Sequence, residues 1–358
     1  MTPRTPGPRG AKVPSTPPIG ADVPSTPGVR RWSHAATATT GVTGIGLVFL
    51  IFVPYFAGGP LEQPVIVACT FISMAAMWNL LAGFSGLTSF GQHAYLGVGA
   101  YGLYLVASHG INPFAGIALA AIIAGVVSIP VSFLLLRLDG GYFAVASLVI
   151  AAVFEIVATL SPSVGGSTGV TIPGLTGYGP LLREALIYWA ALAIVVMSLV
   201  GVYLLVRGGF GLDARAAGSE PVAAASLGVR TMAVRRVAYL VAALGAGATG
   251  ALLGLQTLYI EPGTSFSLQY SVYMLFMVLV GGMGTIEGPI IGALILFALQ
   301  QTLSQYGAWY LVLVGGLAMA ATLVLPRGIW GLVSDRWGWS LLPVGHQVRV
   351  TSPGDGSA

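Results

Sequence analysis

GGYFAVASLVIAAVFEIVATL, residues 140–160, carries one charged side chain, Glu155, in an otherwise apolar run. At 1.5 Å rise per residue, about twenty apolar residues cross the hydrocarbon layer of a bilayer, so the run reads as a transmembrane helix. An ionised carboxylate at the centre of such a helix costs about 2.5–3.5 kcal/mol on insertion scales. Glu155 is therefore expected to face protein or water. Its readings are a polar lining of a substrate route, a proton-relay acid, or a buried hydrogen-bond partner.

The same pattern recurs on both sides of this run. Apolar segments fall near 41–57, 65–84, 91–108, 113–136, 141–160, 185–206, 237–259, 268–285, 288–304 and 308–325. The expected fold is an all-α polytopic transmembrane bundle of about ten spans. GFSGLTSFGQ separates the second and third segments, and the third is rich in glycine and polar residues, so one of the two is a candidate for a broken or re-entrant segment. The composition agrees: 56% of the 358 residues are hydrophobic and 7% charged, against roughly 25% charged in a soluble domain. A net charge of +4, spread over few groups, gives no clustered basic face for nucleic acid. Cys69 is the single cysteine, which excludes a disulfide framework and a cysteine metal site.

Residues 1–40 repeat VPSTP and hold few apolar groups, the composition of a disordered tail rather than a signal peptide. The membrane domain spans 41–326, and 327–358 form a short C-terminal tail. Lys and Arg are retained on the cytoplasmic side of membrane proteins. With ten spans and the N-terminus inside, fourteen of the fifteen basic residues fall inside and Arg183 alone outside. The central loop 207–236 then faces the cytoplasm with Arg207, Arg215, Arg230, Arg235 and Arg236. Gly245, Gly247, Gly250 and Gly254 crowd one span, where small residues let helices approach closely.

Within the central loop, Ser219 is expected to cap a helix of about two turns, with Glu220 in its first turn, Pro221 tolerated there and Gly228 ending it. Ala223, Ala224 and Leu227 would share one small, flat face. So short a helix is unstable alone and needs either the ends of the spans or a partner to rest on. Asn79, Ser85, Ser89, Gln92, His93 and Tyr95 place neutral polar groups in or beside the second and third spans, suited to a zwitterion or an amide. His93 has no neighbours at metal-ligand spacing. After the fifth span, Gly165, Gly166 and Gly169 permit a tight turn that is either an anion nest or a simple bend. VGGMGTIEGPIIGA (280–293), with Glu287 on the cytoplasmic side, reads as a closely packed helix-turn-helix. No GxxxxGK[ST], HExxH, GxSxG or CxxC is present, so an ATPase driving transport would be another polypeptide.

Taken together, NLLAGFSGLTSFGQHAYLGVGAYG (79–102), RLDGGYFAVASLVIAAVFEIV (137–157), GGSTG (165–169), EPVAAASLGV (220–229), YIEPGTSFSLQYSVYMLFMVLVGGMGTIEGPIIGAL (259–294) and LPRGIWGL (325–332) resemble the permease subunits of branched-chain amino acid ABC importers, LivM type. The resemblance covers residues 65–332. It implies an inner (plasma) membrane protein with both termini cytoplasmic and no cofactor. It also implies two ABC ATPase subunits, a second related permease and an extracytoplasmic solute-binding protein as partners. Glu220, Ala223, Ala224 and Gly228 match the family's coupling motif, beside Leu227. Gly165, Gly166, Ser167 and Gly169 match its outward glycine motif, and Glu155 its intramembrane glutamate; Gln92, His93 and Tyr95 are expected along the path. Thr168 stands where the family commonly has an acidic or amide residue. Related permeases for urea, amides or aromatic acids keep the substrate open, and a secondary transporter using Glu155 is the rival reading.

Overall fold

The computed structural model describes residues 59–175, 177–324 and 328–337. The expected first span at 41–57, the tail at 1–40 and residues 338–358 lie outside the described residues. The described chain is almost wholly helical. Its elements are α1 (Gly59–Asn79), α2 (His93–Ser108), α3 (Pro113–Leu135), α4 (Gly141–Leu160), α5 (Pro180–Arg207), α6 (Gly209–Ser219), α7 (Pro221–Ser226), α8 (Thr231–Thr257), α9 (Pro262–Ser265), α10 (Leu268–Gly281), α11 (Glu287–Leu303), α12 (Ala308–Val324) and α13 (Gly328–Trp337). Two short strands, β1 (Val170–Thr171) and β2 (Tyr259–Ile260), pair antiparallel with Val170 opposite Ile260.

Six stretches are long and apolar enough to cross a membrane: Glu62–Phe84, Pro113–Leu135, Gly141–Leu160, Pro180–Arg207, Thr231–Thr257 and Pro262–Gly281. The protein is thus a polytopic, predominantly α-helical membrane protein, with six clear spans among the described residues against the ten expected of the whole chain. Three other expected segments are helices of sixteen or seventeen residues, α2, α11 and α12, each short of a full crossing. For α2 the reason lies just before it. A π-helical turn, Leu80–Phe84, prolongs α1 and gives way to non-helical chain up to Gln92, so α2 starts late.

α1 is the central post: 78% of its apolar window is buried, against 22% for α4 at the periphery. A second nucleus joins α2, α3 and α8, and small residues make it possible. A Cβ on Gly99 would collide with the backbone of Gly247, one on Gly250 with the carbonyl of Leu96, and one on Gly247 with Ala124. With no hydrophobic force between helices in lipid, such close approach gains dispersion contacts. Gly245 lies against Met77, and Gly254 against Ile260 and Ile172, so all four glycines of the α8 cluster are used in packing. The second glycine cluster closes the α10–α11 hairpin, with Gly281 against Gly288 and Gly292 against Met277.

The bundle has two chemically distinct ends. At one, Arg235 meets Asp139 at 3.4 Å and donates to the Ala217 carbonyl at 3.0 Å, while Arg215 lies over Phe84 and Arg236 over Phe133. At the other, Asn112 Nδ2 donates to the Tyr178 hydroxyl at 2.8 Å, Phe114 packs edge-on against Tyr178, and the β1–β2 ladder ties the chain after α4 to the chain after α8. Arg183, in the first turn of α5, stands apart from the arginines of the first end.

Candidate functional site

The non-helical stretch Ser85–Gln92 is buried or nearly so at most positions, and its backbone must be satisfied without water. Side chains from three helices do this. Trp78 Nε1 of α1 donates to the Ser89 carbonyl at 2.8 Å. Ser147 Oγ of α4 accepts from the amides of Phe90 and Gly91, each at 3.1 Å. Ser271 Oγ of α10 donates to the Phe90 carbonyl at 2.7 Å. With that hydroxyl proton committed, His93 Nδ1, 2.7 Å from Ser271 Oγ and 3.0 Å from the Phe90 carbonyl, carries its own proton and donates it. At the turn before this stretch, Asn79 accepts from the Gly284 amide at 2.9 Å and donates to the Thr285 carbonyl at 2.7 Å.

The break was therefore legible in GFSGLTSFGQ, whereas its clamps were not. Ser147, Ser271 and Trp78 lie in ordinary apolar helices, and nothing local marks them. Removing the Ser147 hydroxyl strands the buried Gly91 amide and the part-buried Phe90 amide, at about 1–3 kcal/mol for a buried unsatisfied donor. Ser147→Ala is expected to lose about 2 kcal/mol or more, read as a lowered midpoint of thermal unfolding in detergent; an unchanged midpoint would show that the clamp carries no weight.

The expected path residues are placed as follows. Gln92, His93 and Tyr95 are all buried. Gln92 Nε2 donates to the Ala242 carbonyl at 3.1 Å, leaving Oε1 buried with no protein partner. The Tyr95 hydroxyl donates to that of Tyr239 at 2.9 Å, with the rings edge-on. Glu155 stands on the second half of α4, half-buried, in a helix whose Val149, Val153, Ile156 and Val157 are exposed. The structure does not bring Glu155 together with Gln92, His93 or Tyr95 through any hydrogen bond. Among the described residues, no group of His, Cys, Asp and Glu has metal-binding proximity.

The glycine turn after α4 favours the bend over the nest. Gly165, Gly166 and Gly169 all take positive φ, 86°, 54° and 73°. Yet the amides of Gly165 and Gly166 are already donated to the Pro162 and Ser161 carbonyls, both at 3.1 Å. Tyr259 donates to the Thr168 carbonyl, and Gly169 rests against Ile260, so the turn feeds β1 into its ladder. Ser167 is exposed at its tip.

In the central loop, the structure corrects the expected helix start. Ser219 ends the eleven-residue helix α6, which the sequence reading lacked, and its hydroxyl turns back to the Arg215 carbonyl at 3.0 Å. Glu220 is the N-cap of α7, with no side-chain cap bond, rather than a first-turn residue. α7 has six residues, and Gly228 follows it in a left-handed conformation, φ 89°. The expected flat face also divides: Ala224 is buried, whereas Ala223 and Leu227 are exposed. Val222 and Leu227 are 83% and 85% exposed. Beside them runs an open groove lined by Phe210, Asp213, Leu227–Arg230, Ala233, Val234 and Val237.

The family model described as branched-chain amino acid transport system / permease component matches residues 62–323. The chain belongs to this family. It is a membrane-embedded permease subunit of the ABC-importer type, and as a family permease a non-catalytic transport subunit. Among individual relatives, it is similar to the high-affinity branched-chain amino acid transport system permease protein LivM of Escherichia coli (strain K12), 24% identical over 310 residues, covering 79% of this chain and 73% of that one. The LivM protein of Salmonella typhimurium is 25% identical over 278 residues, covering 70% of this chain and 65% of that protein. A probable branched-chain amino acid transport permease protein LivH of Methanocaldococcus jannaschii is 25% identical over 292 residues, covering 76% and 92%. The family permease is thus similar to LivM and LivH proteins alike. No solved structure matches it.

Proposed function

We propose that this permease translocates branched-chain amino acids, delivered by an extracytoplasmic binding protein, within an assembly containing a second related permease and two ABC ATPase subunits. The observation that carries this reading is the family match across residues 62–323. The names of the relatives at 24–25% identity support the substrate class. In this reading both termini and the arginine-bearing end lie in the cytoplasm, as the bias of Lys and Arg to that side supports.

The mechanical step falls on α7. Closure of the ATPase pair presses on Glu220, Ala223, Leu227 and Gly228, while buried Ala224 passes the push to the bundle. The exposure of Val222 and Leu227 supports this, because two almost fully exposed apolar side chains at one short helix suit a partner's pocket better than water. Gln92 and Glu155 are proposed as polar groups met by the solute, and the turn Gly165–Gly169 as part of the outer mouth. The unpartnered Oε1 of Gln92 supports its part in this.

The test is uptake by proteoliposomes holding this chain with the permease, ATPases and binding protein encoded beside it. Labelled leucine, isoleucine or valine is expected to accumulate only with internal or external ATP on the ATPase side, while urea and acetamide do not. Accumulation of urea or an amide in place of the amino acids would reassign the substrate. Uptake without ATPase subunits that an uncoupler abolishes would overturn the coupling scheme in favour of Glu155-based secondary transport.

A further inference from the structure

The guanidinium of Arg236 is held flat over the ring of Phe133, its carbon 4.0 Å from the ring centre. Its Nε is shut off from solvent and has no acceptor, and no acidic side chain reaches the group among the described residues. Its neighbour Arg235 also keeps a buried, unpartnered Nε, and Arg235 takes the one nearby carboxylate, Asp139. Arg137 follows Phe133 by four residues and is exposed in the turn after α3. Arg137 thus follows the end of α3, and Arg235 and Arg236 stand in the first turns of α8, with Arg235 alone of the three in an ion pair to Asp139 among the described residues.

What adjoins this cationic spot is apolar. Leu119, Ile122, Val126, Ile129 and Phe133 repeat at alternating three- and four-residue steps along α3, the spacing of a single helix face. They are 39–58% exposed, so the described chain leaves about half of each uncovered. Fourteen residues at 1.5 Å give the stripe a length of about 21 Å, more than half the roughly 30 Å hydrocarbon layer. An anion approaching from water alone would leave this stripe unused, whereas a phospholipid satisfies both halves.

We propose that this face seats one anionic phospholipid, with its phosphate on Arg236 and Arg137 and an acyl chain laid along the α3 stripe. Arginine suits the headgroup end because its planar fork donates to phosphate oxygens while its face remains on the ring. The requirement for a net negative lipid comes from the uncompensated charge, since a zwitterionic headgroup brings its own ammonium. The site needs only that the chain is embedded in a bilayer and is independent of the coupling role of α7.

The full-length protein, purified in detergent, is mixed with equal amounts of phosphatidylglycerol and phosphatidylcholine, and retained lipid is counted by native mass spectrometry. Preferential retention of phosphatidylglycerol is expected. Arg236→Gln is expected to lower that preference about fivefold, the worth of one arginine at a charged bilayer surface, whereas Arg230→Gln leaves it in place. Equal retention of the two lipids by the wild-type protein would overturn the proposal. So would displacement of phosphatidylglycerol by inorganic phosphate alone, which would mark a free-anion site, or crosslinking of position 236 to a carboxylate of a partner subunit in the intact assembly. If Arg236→Gln fails to fold, the wild-type preference and the same measurement on Arg137→Gln decide the matter.

Discussion

Gly250→Ala is expected to destabilise the protein by about 3 kcal/mol or more, although alanine is the better helix former by about 1 kcal/mol. The added methyl would enter the space of the Leu96 carbonyl, and backbone cannot swing aside as a flexible side chain can. Relief requires α2 and α8 to separate, which also pulls Gly99 off Gly247 and loosens Gly247 from Ala124. The sign, more than the size, makes the test sharp. Gly201, in the middle of α5, has nothing within 4 Å of a built Cβ. There the same change is expected to be neutral or stabilising by up to about 1 kcal/mol. Thermal unfolding of both variants in one detergent compares them directly. A Gly250→Ala protein as stable as Gly201→Ala would mean that the α2–α8 contact is not held at glycine distance.

The second large effect concerns α7. Leu227→Asp replaces an apolar knob, 85% exposed, by a charge. If Leu227 fills a pocket on an ATPase subunit, its loss costs about 2 kcal/mol or more of docking, roughly a thirtyfold weakening. Solute-stimulated ATP hydrolysis and uptake are both expected to fall at least tenfold at working subunit concentrations. Membrane insertion is expected to survive, because the side chain makes no buried contact to lose. Glu220→Lys tests the same contact from the N-cap of α7 by reversing a charge. Gly228→Leu acts differently: nothing surrounds a Cβ there, yet φ 89° is strained for an L side chain, at roughly 1–2 kcal/mol. That variant is expected to reshape the end of α7 without touching the bundle. Wild-type rates of uptake and hydrolysis in all three would remove α7 from the transport cycle.

Hydropathy made most helices legible. The expected segments 113–136 and 141–160 lie on α3 and α4 almost residue for residue, since a bilayer imposes a length that any sufficiently apolar run must meet. The same argument overcounted full-length spans. It cannot see that the helix breaks between α1 and α2, because a sequence window averages polarity and does not register where a remote Ser147 or Ser271 will stand. In the central loop, the end at Gly228 was readable from its conformational freedom. The start was not: Ser219 had two hydrogen-bonding options, the next helix or the one it closes, and the presence of α6 decided for the second. Likewise the three-residue and four-residue spacing of Ala223, Ala224 and Leu227 specified a shared face only for an isolated helix. Tertiary packing then took Ala224 and left the others outward. Of the proposed path residues, the polarity of Gln92, His93 and Tyr95 was plain, whereas their partners Ala242, Ser271 and Tyr239 come from 144 to 178 residues away.

The clamp around Phe90 also sets an order for biogenesis. Until Ser147 is made, the amides of Phe90 and Gly91 lack its hydroxyl as acceptor, and the Phe90 carbonyl has the nearby His93 but not the Ser271 hydroxyl, which comes 181 residues further along the chain. Hydrocarbon cannot solvate those groups in the interval. The clamp that closes this stretch is therefore complete only once α10 has been made.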